Sequence, residues 1–135
     1  MIVQKIGLGG GCHWCTEAVF QSLKGVQQVE QGYIKSISDN DYFSEAVIVH
    51  FDPNTILLKN LIEIHLYTHK STSNHSFREK YRSAIYYFTE IEKQDIEISL
   101  KELQKNFDSP IITKALEFKE FQASREELLD YYQNN

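Results

Sequence analysis

The chain has 135 residues, 41% hydrophobic and 13% aromatic, enough for one packed domain whose core needs no disulfide staples. Its formal charge of −5 and pI near 5.5 argue against a nucleic-acid surface, which would carry a basic stripe. No apolar run approaches the roughly 18 residues of a membrane span, and Met1 to Leu8 lacks the length and cleavage region of a signal peptide, so a cytoplasmic chain is expected.

In chain order, Ile2 to Leu8 reads as a buried first strand. A glycine run then leads into a helix from about His13 to Lys24, and Gly25 is a natural stop. Val26 to Ile34 and Glu45 to Phe51 read as strands, the second with Val47, Val49 and Phe51 on one face. Ser36 to Asp41 between them is polar turn material. After Asp52-Pro53-Asn54, residues Leu57, Leu58, Leu61, Ile62 and His65 carry helical spacing to about His69. Lys70 to Lys80 is a long polar loop of the kind that carries function. Tyr81 to Phe88 reads as a strand, and Thr89 with Glu92 forms a capping box for a helix showing Ile96, Leu100, Leu103 and Phe107 on one face. Pro110 opens a last strand through Phe118, and Ser124 to Tyr132 reads as a short C-terminal helix. The order β-α-β-β-α-β-α-β-α contains no repeat and no linker, so the expectation is one α/β or α+β domain over residues 1–135, with helices packed on a sheet.

Only two cysteines occur, and Cys12 and Cys15 form one C-x-x-C. A disulfide scaffold spreads its cysteines to close loops, so this pair points to redox, catalytic or metal chemistry. Cys12 follows a strand and opens a helix, where unsatisfied N–H groups and the positive dipole end stabilise a thiolate. The preceding glycines let the backbone turn sharply and leave space above the sulfur. The plain alternative is a pair of inert thiols at a helix start. Zinc would need two more ligands, and His50, His65, His69 and His75 show no finger spacing. His65 falls on the apolar face of its helix and is expected to be a packed core histidine, so no metal is expected. A thioredoxin-like oxidoreductase shares the local strand, C-x-x-C, helix pattern. The glycine triplet suggests room for a substrate instead, and neither Pro53 nor Pro110 lies near the pair as a cis-proline would.

The run Gly10-Gly11-Cys12-His13-Trp14-Cys15-Thr16-Glu17-Ala18-Val19-Phe20, then Leu23-Lys24-Gly25-Val26 and Gly32-Tyr33, resembles the signature of peptide methionine sulfoxide reductase A. The likeness continues at Glu45-Ala46-Val47, Phe51-Asp52-Pro53 and Tyr81-Arg82-Ser83-Ala84-Ile85-Tyr86, four segments in family order over most of the chain. The resemblance implies a thiolate at Cys12 that attacks the sulfoxide sulfur, and chemistry then requires an acid for the departing oxygen. Glu45, opening an otherwise apolar strand, is the expected acid, since burial favours the neutral carboxyl. Tyr81 matches a family tyrosine and is expected to hold the sulfoxide oxygen as charge develops on it. Trp14 alone could be plain core, but beside the nucleophile it is expected to form an apolar wall for the methyl group. Cys12 would be left as a sulfenic acid, which a second thiol converts to a disulfide.

The chain departs from the family at several positions. His13 stands where a phenylalanine normally completes the methyl cage; an imidazolium there would stabilise the Cys12 thiolate further, or the ring serves only as a flat stacking surface. The stretch between Tyr33 and Glu45 is short, which removes the loop carrying a second oxygen-binding tyrosine, and Tyr42 is the stand-in. Tyr42-Phe43-Ser44-Glu45 replaces G-H-A-E, His69-Lys70-Ser71-Thr72 replaces H-D-P-T, and Ser76 stands at an aspartate position. Ser124 to Tyr131 departs from the C-terminal family pattern as well. No cysteine follows Cys15 in this sequence, leaving Cys15 or an external thiol to resolve the sulfenic acid.

The expected fold is a two-layer α/β (α+β) sandwich, a mixed sheet with helices packed on it and a ferredoxin-like core. The expected activity is cofactor-free reduction of methionine S-sulfoxide, free or peptide-bound, with a thioredoxin or glutathione-type reductant and no nucleic-acid or membrane partner. Two other readings stay open: a thiol-disulfide oxidoreductase using Cys12 and Cys15, and a non-catalytic module that binds sulfoxides or thioethers.

Overall fold

A computed structural model of the chain describes residues 3–11, 13–69, 71–72 and 81–124, with the side chains of His13 and Trp14 outside the description. Cys12, Ser76 and residues 125–132 of the expected C-terminal helix lie outside the described residues. Among the described residues eleven elements follow in order, three of them α-helices and six of them strands. They are β1 (Gln4–Gly9), α1 (His13–Gln21), β2 (Val26–Lys35), β3 (Ser44–Phe51), α2 (Leu58–Tyr67), β4 (Ala84–Tyr87), α3 (Glu90–Leu103), β5 (Lys114–Glu117) and β6 (Glu120–Ala123), with short 3-10 turns at Ser38–Asn40 and Gln104–Asn106.

The strands form one mixed sheet in the order β5-β4-β1-β3-β2-β6. All neighbours are antiparallel except β4 and β5. Side-chain alternation sorts this sheet into two apolar faces. Ile6, Leu8, Val29, Val47, Val49, Phe51, Ile85 and Tyr87 join Phe20 of α1, Leu61, Ile62 and Leu66 of α2, and Ile96 and Leu103 of α3 in the main core. Ile34, Ala46, Ile48, Ala84 and Tyr86 form a second cluster on the opposite face, covered by Phe88, Leu116, Phe118 and Phe121. Val47, Val49 and Phe51 share a face as their spacing predicts. Each fully buried side chain of this size stabilises the fold by roughly 1.5–3 kcal/mol relative to exposure.

The helix boundaries have local causes. α1 ends at Gln21, short of the expected Lys24, because the Ser22 hydroxyl donates to the Val19 carbonyl at 2.7 Å and the chain turns into Gly25 at φ +97°. α2 stops at Tyr67, where Thr68 Oγ1 donates to the His65 carbonyl at 2.7 Å. The predicted cap of α3 is present: Thr89 Oγ1 accepts from the Glu92 N–H at 3.2 Å. Its return arm reaches one residue further than a standard box, with Glu92 Oε1 accepting from the Phe88 N–H at 2.8 Å.

Two strand expectations are corrected. β4 and β5 are four residues each, shorter than the expected Tyr81 to Phe88 and Pro110 to Phe118. A sixth strand, β6, occupies Glu120–Ala123, just before the segment expected to be helical. It is an edge strand with one large apolar side chain, Phe121, so its composition gives little β signal. What holds it is Gly32 of β2, where an added Cβ would collide with the Gln122 carbonyl and the Phe121 ring. Among the described residues no helix is long and apolar enough to cross a membrane.

Candidate active site

The end of β1 lies between the beginnings of β3 and β4. Gly9 is paired with Ala46 on one side and Ala84 on the other. A Cβ on Gly9 would lie 3.0 Å from the Arg82 carbonyl and 3.2 Å from the Glu45 carbonyl, so three backbones converge at a residue that must stay small. Position 12 follows this convergence by three residues and is itself outside the described residues. On its two sides the chain is as expected: Gly10 and Gly11 form a bend, and α1 opens at His13.

Glu45 is buried, at 5% exposure, and stands across from Tyr33 of β2. Strand alternation puts it on the same sheet face as Val47, Val49 and Phe51, the face on which α1 packs. A second carboxyl, Glu17 of α1, is buried at 2% exposure and accepts from Gln31 Nε2 at 3.4 Å. Sequence reasoning gave Glu17 no role of its own; its signal was an acidic residue between Thr16 and Phe20 on the buried side of α1.

Tyr81 is half-buried and lies three residues before β4. The next N–H, that of Arg82, donates to Ser44 Oγ at 2.8 Å. Tyr81 and Glu45 are therefore the immediate chain neighbours of one hydrogen-bonded pair, which ties the two expected catalytic residues to the same point of the fold.

Arg82, to which the sequence analysis assigned no role, packs on the Tyr86 side of the sheet, opposite the face of Glu45. Its buried guanidinium donates from Nε to the Tyr86 hydroxyl at 3.0 Å, from Nη2 to the Ile34 carbonyl at 3.0 Å and from Nη1 to the Asn40 carbonyl at 3.2 Å. It also lies over the Tyr42 ring, 4.6 Å from the centroid. These contacts hold the short segment between β2 and β3 against the start of β4. Burial pushes the Tyr86 hydroxyl up to about 12, with the adjacent guanidinium partly opposing the rise. Tyr42 itself is 37% exposed.

Cys15, in the first turn of α1, is exposed. His65 is the packed core histidine that its position predicts, at 1% exposure. Among the described residues no group of three His, Cys, Asp or Glu side chains is gathered to hold a metal ion. A polar groove lined by Gln21 and Val26 to Val29 lies at the far end of β2 from Tyr33, away from this convergence.

A sequence profile described as peptide methionine sulfoxide reductase matches residues 4–135. The chain is similar to the peptide methionine sulfoxide reductase MsrA of Deinococcus radiodurans, at 37% identity over 93% of this chain and 69% of that protein. It shares its fold with Mxr1 of Saccharomyces cerevisiae in an oxidised form, with a TM-score of 0.82 at 23% identity over 98% of this chain and 82% of the other. It also shares its fold with Mxr1 in a complex with Trx2, with a TM-score of 0.76 at 20% identity over 93% and 83% of the two chains. With strand, glycine turn and helix around position 12, a buried acid beside them and a match over almost its whole length, the chain belongs to the peptide methionine sulfoxide reductase family and is an oxidoreductase that reduces methionine sulfoxide.

Proposed function

We propose that Cys12 is the nucleophile, Glu45 the acid and Tyr81 the oxygen-holding phenol of this reduction, acting on the S epimer of methionine sulfoxide, free or within a peptide. The observation that carries the assignment is the burial of Glu45 beside Gly9, where the ends of β1, β3 and β4 meet. A carboxyl that is to donate a proton is suited to such a position, because burying a neutral acid avoids the large cost of burying a charge. The Cys12 sulfur attacks the sulfoxide sulfur, and the oxygen, protonated by Glu45, ends on Cys12. The products are the thioether and a Cys12 sulfenic acid, which balances as thiol plus sulfoxide giving sulfenic acid plus sulfide.

We assign His13 and Trp14 to the surroundings of the methyl group and Tyr42 to the role of second phenol. Exposure of Cys15 supports its role as the resolving thiol: it condenses with the sulfenic acid to give a disulfide and water, and an external dithiol then reduces the bond. Thioredoxin is the favoured reductant, in keeping with the Trx2 complex formed by the fold relative Mxr1; a glutathione-type thiol is the other. The reaction needs no cofactor, the whole of residues 1–135 acts as one domain, and the setting is cytoplasmic. We read β1 to β4, with α1 and α2 and the strand order β4-β1-β3-β2, as a ferredoxin-like core in a two-layer arrangement.

The test is incubation with dithiothreitol and each pure epimer of methionine sulfoxide, with methionine as the readout. Methionine from the S epimer alone is expected, since separate enzymes serve the two epimers. Turnover of the R epimer, or reduction of insulin disulfides without sulfoxide turnover, would replace this reading with another.

A further inference from the structure

We propose that His65 and His69 are positioning residues that fix the glycine run carrying the nucleophile; the proposal rests on Cys12 being that nucleophile. His65 is buried in α2, yet its Nε2 lies 2.7 Å from the Gly9 carbonyl, three residues before position 12. A carbonyl can only accept, so His65 Nε2 carries the proton and donates. His69, four residues on and just past the end of α2, tilts against the His65 ring with centroids 4.7 Å apart. Its Nδ1 lies 3.0 Å from the His65 carbonyl and donates to it. Its Nε2 lies 2.8 Å from Ser83 Oγ, which lies 2.6 Å from Thr113 Oγ1.

The His69 ring is also the surface on which the glycine run rests. A Cβ on Gly10 would lie 2.6–2.9 Å from three atoms of the imidazole, and Gly10 has φ +143°, so both space and backbone demand glycine. A Cβ on Gly11 would still be 3.6 Å from His69 Cβ. The connections close into a ring: Gly9 to His65, His65 to His69, His69 to Ser83, and Ser83 through its neighbour Ala84 back to Gly9 by strand pairing. A glycine run has little stiffness of its own. The histidines supply it from outside, through one hydrogen bond and one flat contact, and so hold the nucleophile loop against β4, beside the residue that follows Tyr81.

The test compares His65→Phe, His65→Gln and Ser83→Ala with the parent protein in two assays. One is kcat and KM for methionine S-sulfoxide with dithiothreitol; the other is the rate of Cys12 alkylation by iodoacetamide, resolved from Cys15 by fragment mass spectrometry. His65→Phe keeps a ring and loses the donor, and is expected to lower kcat and the Cys12 alkylation rate about tenfold with KM nearly unchanged, since misplacement by about 1 Å can cost up to about 10²-fold. His65→Gln retains an N–H near the Nε2 position and is expected to restore both to within about threefold. A folded His65→Phe protein with parental kcat and alkylation rate overturns the proposal, as does a His65→Gln protein no better than His65→Phe. Should His65→Phe fail to fold, Ser83→Ala decides: slower Cys12 alkylation and lower kcat support the proposal, and parental values overturn it. A parent protein inactive on sulfoxide removes the reductase reading alone, because the alkylation comparison still reports on the loop.

Discussion

At the residue scale, the site was legible where chemistry is written in neighbouring residues and illegible where it depends on pairing across the sheet. The C-x-x-C and its glycines mark a candidate reactive thiol by adjacency, and Glu45 stands out as a carboxyl that opens an apolar strand. Arg82 and His65 gave no such signal, because the partners that define them, the carbonyls of Ile34, Asn40 and Gly9, are distant in sequence. Glu45→Gln is expected to lower kcat by about 10²-fold with KM little changed, the usual size of a lost general acid; steady-state kinetics on methionine S-sulfoxide checks this, and a parental kcat would move the acid elsewhere. Tyr86 gives a prediction on stability. Its hydroxyl ionises at 10.0 in the unfolded reference and about 12 in the fold, so the fold loses stability as pH rises through that interval and is unaffected by this group below it. Urea midpoints at about pH 9 and about pH 11 are expected to fall less in Tyr86→Phe than in the parent, and equal falls would contradict the assignment.

At the element scale, helices were easier to foresee than short strands. α3 declares itself through Thr89, Glu92 and a stripe of Ile96, Leu100 and Leu103, and Thr89→Ala is expected to cost about 1 kcal/mol in chemical denaturation, with no change in activity. β6 was missed because nothing within Glu120–Ala123 dictates a strand. Its specification lies in Gly32, whose missing side chain admits the Gln122 carbonyl and the Phe121 ring. Gly32→Ala is therefore expected to loosen this edge and destabilise the protein by about 1–3 kcal/mol, the usual cost of overpacking. Amide exchange should speed up at Glu120–Ala123 and stay unchanged at β4; uniform protection across both would show that Gly32 is not what seats the strand.

At the scale of the whole molecule, the sheet order brings the end of the central strand β1 to the starts of β3 and β4, so that segments far apart in sequence meet at the candidate site. Element order pointed to helices packed on a sheet but could not supply strand order, because antiparallel neighbours such as β1 and β3 are joined through other elements. The central claim is that the thiol of Cys12 takes the oxygen from the sulfoxide. Mixing the reduced protein with excess methionine S-sulfoxide and no external reductant isolates that step. The account predicts a burst of methionine stoichiometric with protein, matched by oxidation at Cys12 as a sulfenic acid or a disulfide to Cys15, and no burst from Cys12→Ser. A burst that survives in Cys12→Ser, or methionine formed while Cys12 stays a thiol, would contradict it.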